Sequence, residues 1–119
     1  MTIGEVSEKY EMTADTLRYY ERIGLIPPVP RNRNGIRNFD ETACGWVSFV
    51  KCMRSAGVQI EALIEYVSLM QANTGIERRR NILIEQRARL QKQAEHLKAT
   101  IERLDYKIAN YEKLFANKN

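Results

Sequence analysis

Thr13-Ala-Asp-Thr-Leu-Arg-Tyr-Tyr-Glu-Arg-Ile-Gly-Leu-Ile-Pro-Pro-Val-Pro-Arg-Asn-Arg-Asn-Gly-Ile-Arg-Asn-Phe39 holds a short helical run, a break and a tight turn, in that order. The run carries Arg18, Tyr19, Tyr20 and Arg22 and stops at Gly24. Pro27, Pro28 and Pro30 then forbid a continuing helix. Asn34-Gly35, the strongest kind of short-range hairpin signal, lies among Arg31, Arg33 and Arg37. Arginine forks and tyrosine hydroxyls bind phosphate oxygens. A helix followed by a basic hairpin predicts a winged helix-turn-helix suited to duplex DNA. The same residues also fit a solvated surface helix with a polar loop, so the flanking sequence decides.

On the N-terminal side, Thr2 can cap a first helix to about Tyr10, with Ile3, Val6 and Tyr10 on one face. Met12-Thr13 makes the turn, and Thr13 caps the recognition helix, about residues 14–23. There Leu17 and Tyr20 are expected inward and Thr16, Arg18, Tyr19 and Arg22 outward, with Gly24 as the residue that ends the helix. The wing spans about 28–39, with Ile36 and Phe39 as its apolar anchors. Asp40 then caps a third helix, about 41–55, with Trp46, Phe49, Val50 and Met53 at helical spacing. Gly57 ends it. A fourth helix, about 60–72, has Leu63, Ile64, Val67 and Leu69 as core candidates. This second helix pair, about 41–72, completes an N-terminal domain of residues 1–75.

Beyond Asn73-Thr74-Gly75 the character changes. Neither proline nor glycine occurs from Ile76 to Ala116. Leu83, Leu90, Leu97, Leu104 and Tyr111 recur every seven residues, interleaved with Ala94, Ile101, Ile108 and Phe115. Alternating steps of three and four make a heptad seam, broken toward its start by Arg87. A helix of this length, on the order of 60 Å, cannot bury its seam on a domain of about 70 residues. The expectation is a mainly α chain: a winged helix-turn-helix domain followed by a long coiled-coil dimerisation helix, 76–119. The seam residues Leu83, Leu90, Leu97, Ile101, Leu104, Ile108 and Tyr111 would form the dimer interface. Parallel and antiparallel pairings both remain open.

Charge supports a polyanion as partner. From Arg18 to Arg54 there are seven Lys/Arg against three acids, a local +4, whereas residues 1–17 hold only Lys9 against Glu5, Glu8, Glu11 and Asp15. No apolar run approaches the ~20 residues of a membrane span, and the N-terminal residues lack the regions of a signal peptide. A cytoplasmic protein is expected. Cys44 and Cys52 fit a reducing compartment, and their spacing matches no Cys-x-x-Cys metal or redox site. With His96 as the only histidine, no metal or other cofactor is expected. There is no nucleophile elbow, phosphate-binding glycine loop or paired-carboxylate segment, which argues against an enzyme. A purely structural coiled-coil adaptor would leave the arginine-tyrosine helix and the wing without a purpose.

In this setting Thr16-Leu-Arg-Tyr-Tyr-Glu-Arg-Ile-Gly-Leu-Ile26 resembles the signature of the MerR family of bacterial transcription regulators. Asn34-Gly-Ile-Arg-Asn-Phe39 resembles that family's wing. The likeness implies a homodimer on a near-palindromic operator in an over-long promoter spacer. Such dimers activate by distorting the DNA, so that RNA polymerase is affected only indirectly. Carried over residue by residue, it gives Arg18 and Tyr19 contacts to DNA, Tyr20 and Arg22 backbone contacts or helix orientation, and Arg37 a phosphate. Thr13, Asp15 and Thr16 lie at the start of the helix, with Asp15 and Thr16 the candidates for base edges. Arg31, Arg33 and Asn34 complete the set on the wing. Tyr20 has an alternative as a buried ring tied to the scaffold.

Metal-sensing relatives place thiol ligands at the start of the dimer helix, where this sequence has no cysteine. Phe49-Val-Lys-Cys-Met-Arg-Ser-Ala-Gly57 instead resembles the thiol-dependent, aldehyde-responsive AdhR/NmlR-like branch. That resemblance implies Cys52 as the sensor of reactive aldehydes or other electrophiles. A thiolate is the nucleophile that adds to carbonyls, and Lys51 and Arg54 flank Cys52 in sequence. Two alternatives stand beside it: Cys52 as an inert core thiol, and a regulator controlled by another ligand or a partner.

Overall fold

The computed structural model describes residues 1–117, so the last two residues of the expected 76–119 segment lie outside the described residues. Its five helices are α1 (Ile3–Tyr10), α2 (Ala14–Arg22), α3 (Glu41–Ser55), α4 (Ile60–Gln71) and α5 (Ile76–Asn117). Each early boundary has a local cause. Thr2 and Glu5 close a capping box on α1, the Thr2 hydroxyl accepting from the Glu5 amide and Glu5 from the Thr2 amide. Thr13 caps α2 by accepting from the Thr16 amide at 3.1 Å, and Asp40 caps α3 by accepting from Ala43 at 2.8 Å. Gly24 ends α2 with φ +81, leaving the Tyr20 carbonyl to accept from the Leu25 and Ile26 amides.

Two compact units emerge, Met1–Gln86 and Arg87–Asn119. In the first, α1 packs on α2 and α3 around Val6, Leu17, Phe39, Val47 and Val50, all buried. Leu63 and Val67 of α4 join this core, while Ile64 and Leu69 are only half-buried. On α3 the buried stripe is Ala43, Cys44, Val47 and Val50. Trp46, Phe49 and Met53, expected with Val50 on the apolar face, are half-buried at its edge. Leu25, Ile26 and Val29, in the segment after Gly24, are core residues that helical periodicity could not expose.

The first unit extends past Gly75 into the opening turns of α5, where Ile82 and Gln86 are buried. Gln86 accepts from the Gln59 amide at 3.1 Å and donates to the Gln59 side chain at 3.0 Å. Gln59 begins α4 without a side-chain cap of its own, so Gln86 supplies a partner for an otherwise orphaned amide. Gly75 combines φ +63 with a close approach: a Cβ there would meet Leu69 at 3.1 Å. In the second unit α5 continues with Leu97, Ile101, Leu104, Ile108 and Tyr111 all more than half exposed. Leu83, nearer its start, is also exposed and Leu90 is half-buried.

Candidate nucleic-acid interface

Helix α2 shows one buried and one open face. Leu17 is 1% exposed and Tyr20 is half-buried, whereas Arg18, Tyr19 and Arg22 are exposed. Their side chains are held in local pairs. Arg18 Nη1 donates to Asp15 at 2.9 Å, and the Arg22 guanidinium lies 5.2 Å from the centre of the Tyr19 ring. The Thr16 hydroxyl is hydrogen-bonded to Thr13 at 2.7 Å, so Thr13 and Thr16 hold the helix start as well as facing outward. These surface pairs are weak, and an incoming phosphate can replace the Asp15 carboxylate at little cost.

The wing is a minimal hairpin closed by a single antiparallel bridge between Arg31 and Arg37. Its turn differs in register from a two-residue Asn34-Gly35 loop. The Gly35 amide donates to the Asn32 carbonyl at 3.0 Å and the Asn32 amide to Ile36 at 2.8 Å. Gly35 takes the left-handed position at φ +75, the pattern of a three-residue loop built on an Asn-led turn. The Asn32 side chain accepts from the Asn34 and Ile36 amides, and Arg31 donates to the Gly35 carbonyl. Arg31, Arg33 and Asn34 are exposed at the tip. Ile36 is 56% exposed and does not anchor the hairpin as expected; Phe39, 2% exposed, does.

Helix and wing are joined by Glu21, a residue that no motif in the sequence singles out. One oxygen of its carboxylate accepts from the Val29 amide at 2.6 Å and the other from Arg37 Nε at 2.7 Å. Burial pushes this carboxyl up. The hydrogen bonds from Val29 and Arg37 and the charges of Arg37 and Arg31 outweigh it and hold it below its ordinary value. Arg37 is thus not simply an outward fork for phosphate: its Nε is committed to Glu21. A guanidinium carries five N–H donors, which leaves donors for a second acceptor. A neutral Gln at position 21 keeps the shape but loses the ion pair. Glu21→Gln should cost about 1–3 kcal/mol of stability and loosen the wing, seen as faster amide exchange at Val29. Because the folded-state pKa is depressed, the stabilisation is present at neutral pH and is lost as pH falls below the ordinary carboxylate range. Equal exchange and equal acid stability in the variant would remove the clamp.

The two cysteines differ in kind. Cys44 is buried, its sulfur 3.8 Å from the Phe39 carbonyl oxygen. Cys52 is exposed, on the last turns of α3. The neighbouring cations are tethered to backbone oxygens, Lys51 to the Tyr10 carbonyl and Arg54 to Val58. Among the described residues no cluster of three or more His, Cys, Asp or Glu could hold a metal. No helix there is long and apolar enough to cross a membrane.

Residues 1–69 match the model of the MerR HTH family of regulatory proteins. The chain belongs to this family. It is 53% identical over 91 residues to the transcriptional regulator AdhR of Bacillus subtilis, a match covering 76% of this chain and 65% of AdhR's own length. Among solved structures, a MerR family regulator from Listeria monocytogenes superposes with TM-score 0.89 at 44% identity, covering 94% of this chain and 86% of that one. HiNmlR, described as a MerR family regulator lacking the sensor domain and bound to promoter DNA, superposes at 0.85 with 29% identity, covering 97% and 92%. These likenesses place the chain in the AdhR/NmlR-like branch of MerR-type transcriptional regulators, whose members here are regulators and not enzymes.

Proposed function

We propose that this MerR-type regulator binds a near-palindromic promoter operator as a homodimer and activates transcription by distorting the DNA when Cys52 reacts with an aldehyde or related electrophile. The observation that carries the DNA-binding part is the Glu21 clamp. It holds an exposed arginine-tyrosine helix and a basic hairpin in one fixed arrangement, the two-point grip that duplex docking needs. HiNmlR, similar over nearly the whole chain, is described as bound to promoter DNA. Arg18, Tyr19 and Arg22 then face the duplex from α2, with Thr13, Asp15 and Thr16 at its start. Arg31, Arg33, Asn34 and the remaining donors of Arg37 reach phosphate from the wing, and Tyr20 supports the helix from its half-buried side. RNA polymerase is served indirectly, through the bend. The work takes place where the chromosome lies, in the cytoplasm.

Replacing Arg18 by Ala should weaken binding to DNA upstream of the protein's own gene by about 1.5–3 kcal/mol per protomer, the range of a charge-assisted contact. Electrophoretic mobility at moderate salt measures it. Unchanged affinity would remove α2 from the docking surface.

Dimerisation is supported by the seam. An apolar stripe exposed along α5 is the kind of surface that marks an interaction site, and its heptad spacing fits a second copy of the same helix. Sensing by Cys52 is supported by exposure, which the core alternative lacks. Addition of the thiolate to an aldehyde carbon gives a hemithioacetal: the S–C bond forms and the carbonyl oxygen takes the electron pair and a proton. No cofactor enters this step.

A further inference from the structure

Gln86, 8% exposed, is the only buried polar side chain among the described residues. A buried amide costs free energy unless it is hydrogen-bonded, and an apolar residue one turn after the buried Ile82 would extend the core at no such cost. Gln86 is paired twice. Its Oε1 accepts from the Gln59 backbone amide at 3.1 Å, and its Nε2 donates to Gln59 Oε1 at 3.0 Å. A backbone N–H can only donate, so the sense of the Gln86 amide is fixed.

Three anchors hold the first turns of α5 in the first unit, spaced four residues apart along one stripe of the helix. Arg78 donates twice to Glu65 of α4, both at 2.8 Å, Ile82 enters the core, and Gln86 meets Gln59. They are not equal. The Arg78–Glu65 pair is exposed on both sides and contributes about 1 kcal/mol or less. Ile82 attracts without direction. The Gln86–Gln59 pair is directional and withdrawn from solvent, so it selects one rotation and one axial position of α5. Fixing register is the best-attested use of a buried polar group. Gln86 is also the last residue of the first unit, and α5 runs on unbroken past it.

We propose that Gln86 is a positioning residue: by fixing how the first turns of α5 lie on α4, it sets the half-site spacing that the dimer accepts. This rests on the reading of the chain as a homodimer on a near-palindromic operator. Between Gln86 and Ile101, near the middle of the seam, α5 rises about 22 Å. A tilt of ~10° at Gln86 displaces the helix there by about 4 Å, more than the ~3.4 Å between base pairs. In a two-fold dimer both protomers carry the same tilt, which doubles the error. Half-site separation is a geometric property of the dimer. Loss of the pair therefore relaxes the spacing and leaves the grip on each half-site intact.

Gln86→Leu keeps bulk and removes both hydrogen bonds, and the amide of Gln59, an exposed residue, then passes to water. Mobility shift compares three duplexes: the operator, and the operator with one base pair inserted or removed at its centre. The wild type should prefer the native spacing by about a hundredfold, and Gln86→Leu by only about tenfold. Binding to a duplex with a single half-site should be equal in the two proteins, and sedimentation should show both as dimers. Gln59→Ala loses one of the two hydrogen bonds at a position that makes no side-chain cap. Its preference should be intermediate, and it decides the matter alone if Gln86→Leu fails to fold. Full spacing preference in the folded variants would overturn the proposal. So would an equal loss on the single half-site, which would make Gln86 a stabiliser of the DNA-binding unit only. A monomeric wild type, or a dimer without spacing preference, would sink the dimeric reading itself and this inference with it.

Discussion

Leu104→Glu should leave the protein monomeric and unable to bind its operator specifically at concentrations where the wild type is fully bound. Leu104 lies on the heptad seam of α5, more than half exposed in the single chain, and a second copy is the proposed cover. An unpaired charge buried at such an interface costs about 3–5 kcal/mol, or roughly 10²–10⁴-fold in the association constant at 1.4 kcal/mol per tenfold. A homodimer carries two such charges, so the loss should be larger still. The first unit has its own core around Val6, Leu17 and Val47, distant in sequence from residue 104. Its helical signal and aromatic environment should therefore persist. Specific binding should vanish with the dimer, since one half-site grip provides only part of the contacts. Sedimentation velocity and mobility shift on the same samples check both. A variant still dimeric and fully active would remove the seam as the interface, and a monomeric wild type would remove the dimer.

Cys52→Ser should bind the operator with wild-type affinity yet give no aldehyde-dependent activation, a loss of the whole response. Serine keeps the size of the side chain but is far less nucleophilic than a thiolate at neutral pH. Cys52 is exposed, so the hydroxyl can be solvated and the substitution should not disturb folding. Cys44 is the internal control. It is buried against Phe39, and Cys44→Ala should respond like the wild type at a modest cost in stability. The adduct itself need supply little energy. It has only to bias two DNA-bound conformations, and its differential effect on the two sets the shift. The exit from α3 lies on a short route to α5: Val58 accepts from Arg54, and next to it Gln59 is clamped by Gln86. A full aldehyde response in Cys52→Ser, measured from a reporter promoter, would assign sensing elsewhere.

Much of this architecture is legible in the sequence. Thr2, Thr13 and Asp40 announce helix starts because their side-chain oxygens accept amides that the helix leaves unpaired, and all three do so. The long helix was legible because heptad spacing is a property of sequence alone. The wing was legible in kind but not in register: Asn34-Gly35 marks a turn, whereas Asn32 sets it by accepting two amides. Glu21 is silent in the sequence because its partners lie 8 and 16 residues away, and an acid within a basic helix carries no periodic signal. The Glu21 partner of Arg37 is invisible in sequence for the same reason. Hydrophobicity alone marks Ile36 as an anchor, yet a residue of so short a hairpin has nothing to pack on, and it is exposed.

The salt dependence of operator binding tests the winged helix-turn-helix grip most directly. Each phosphate neutralised contributes about −0.9 to the slope of log Kobs against log[salt]. A dimer gripping with Arg18, Arg22, Arg31, Arg33 and Arg37 from two protomers should give a slope of roughly −5 to −9. Arg18→Ala, which removes one such contact per protomer, should make it shallower by about two. A flat dependence in the wild type, or an unchanged slope in Arg18→Ala, would contradict the docking of this face on DNA.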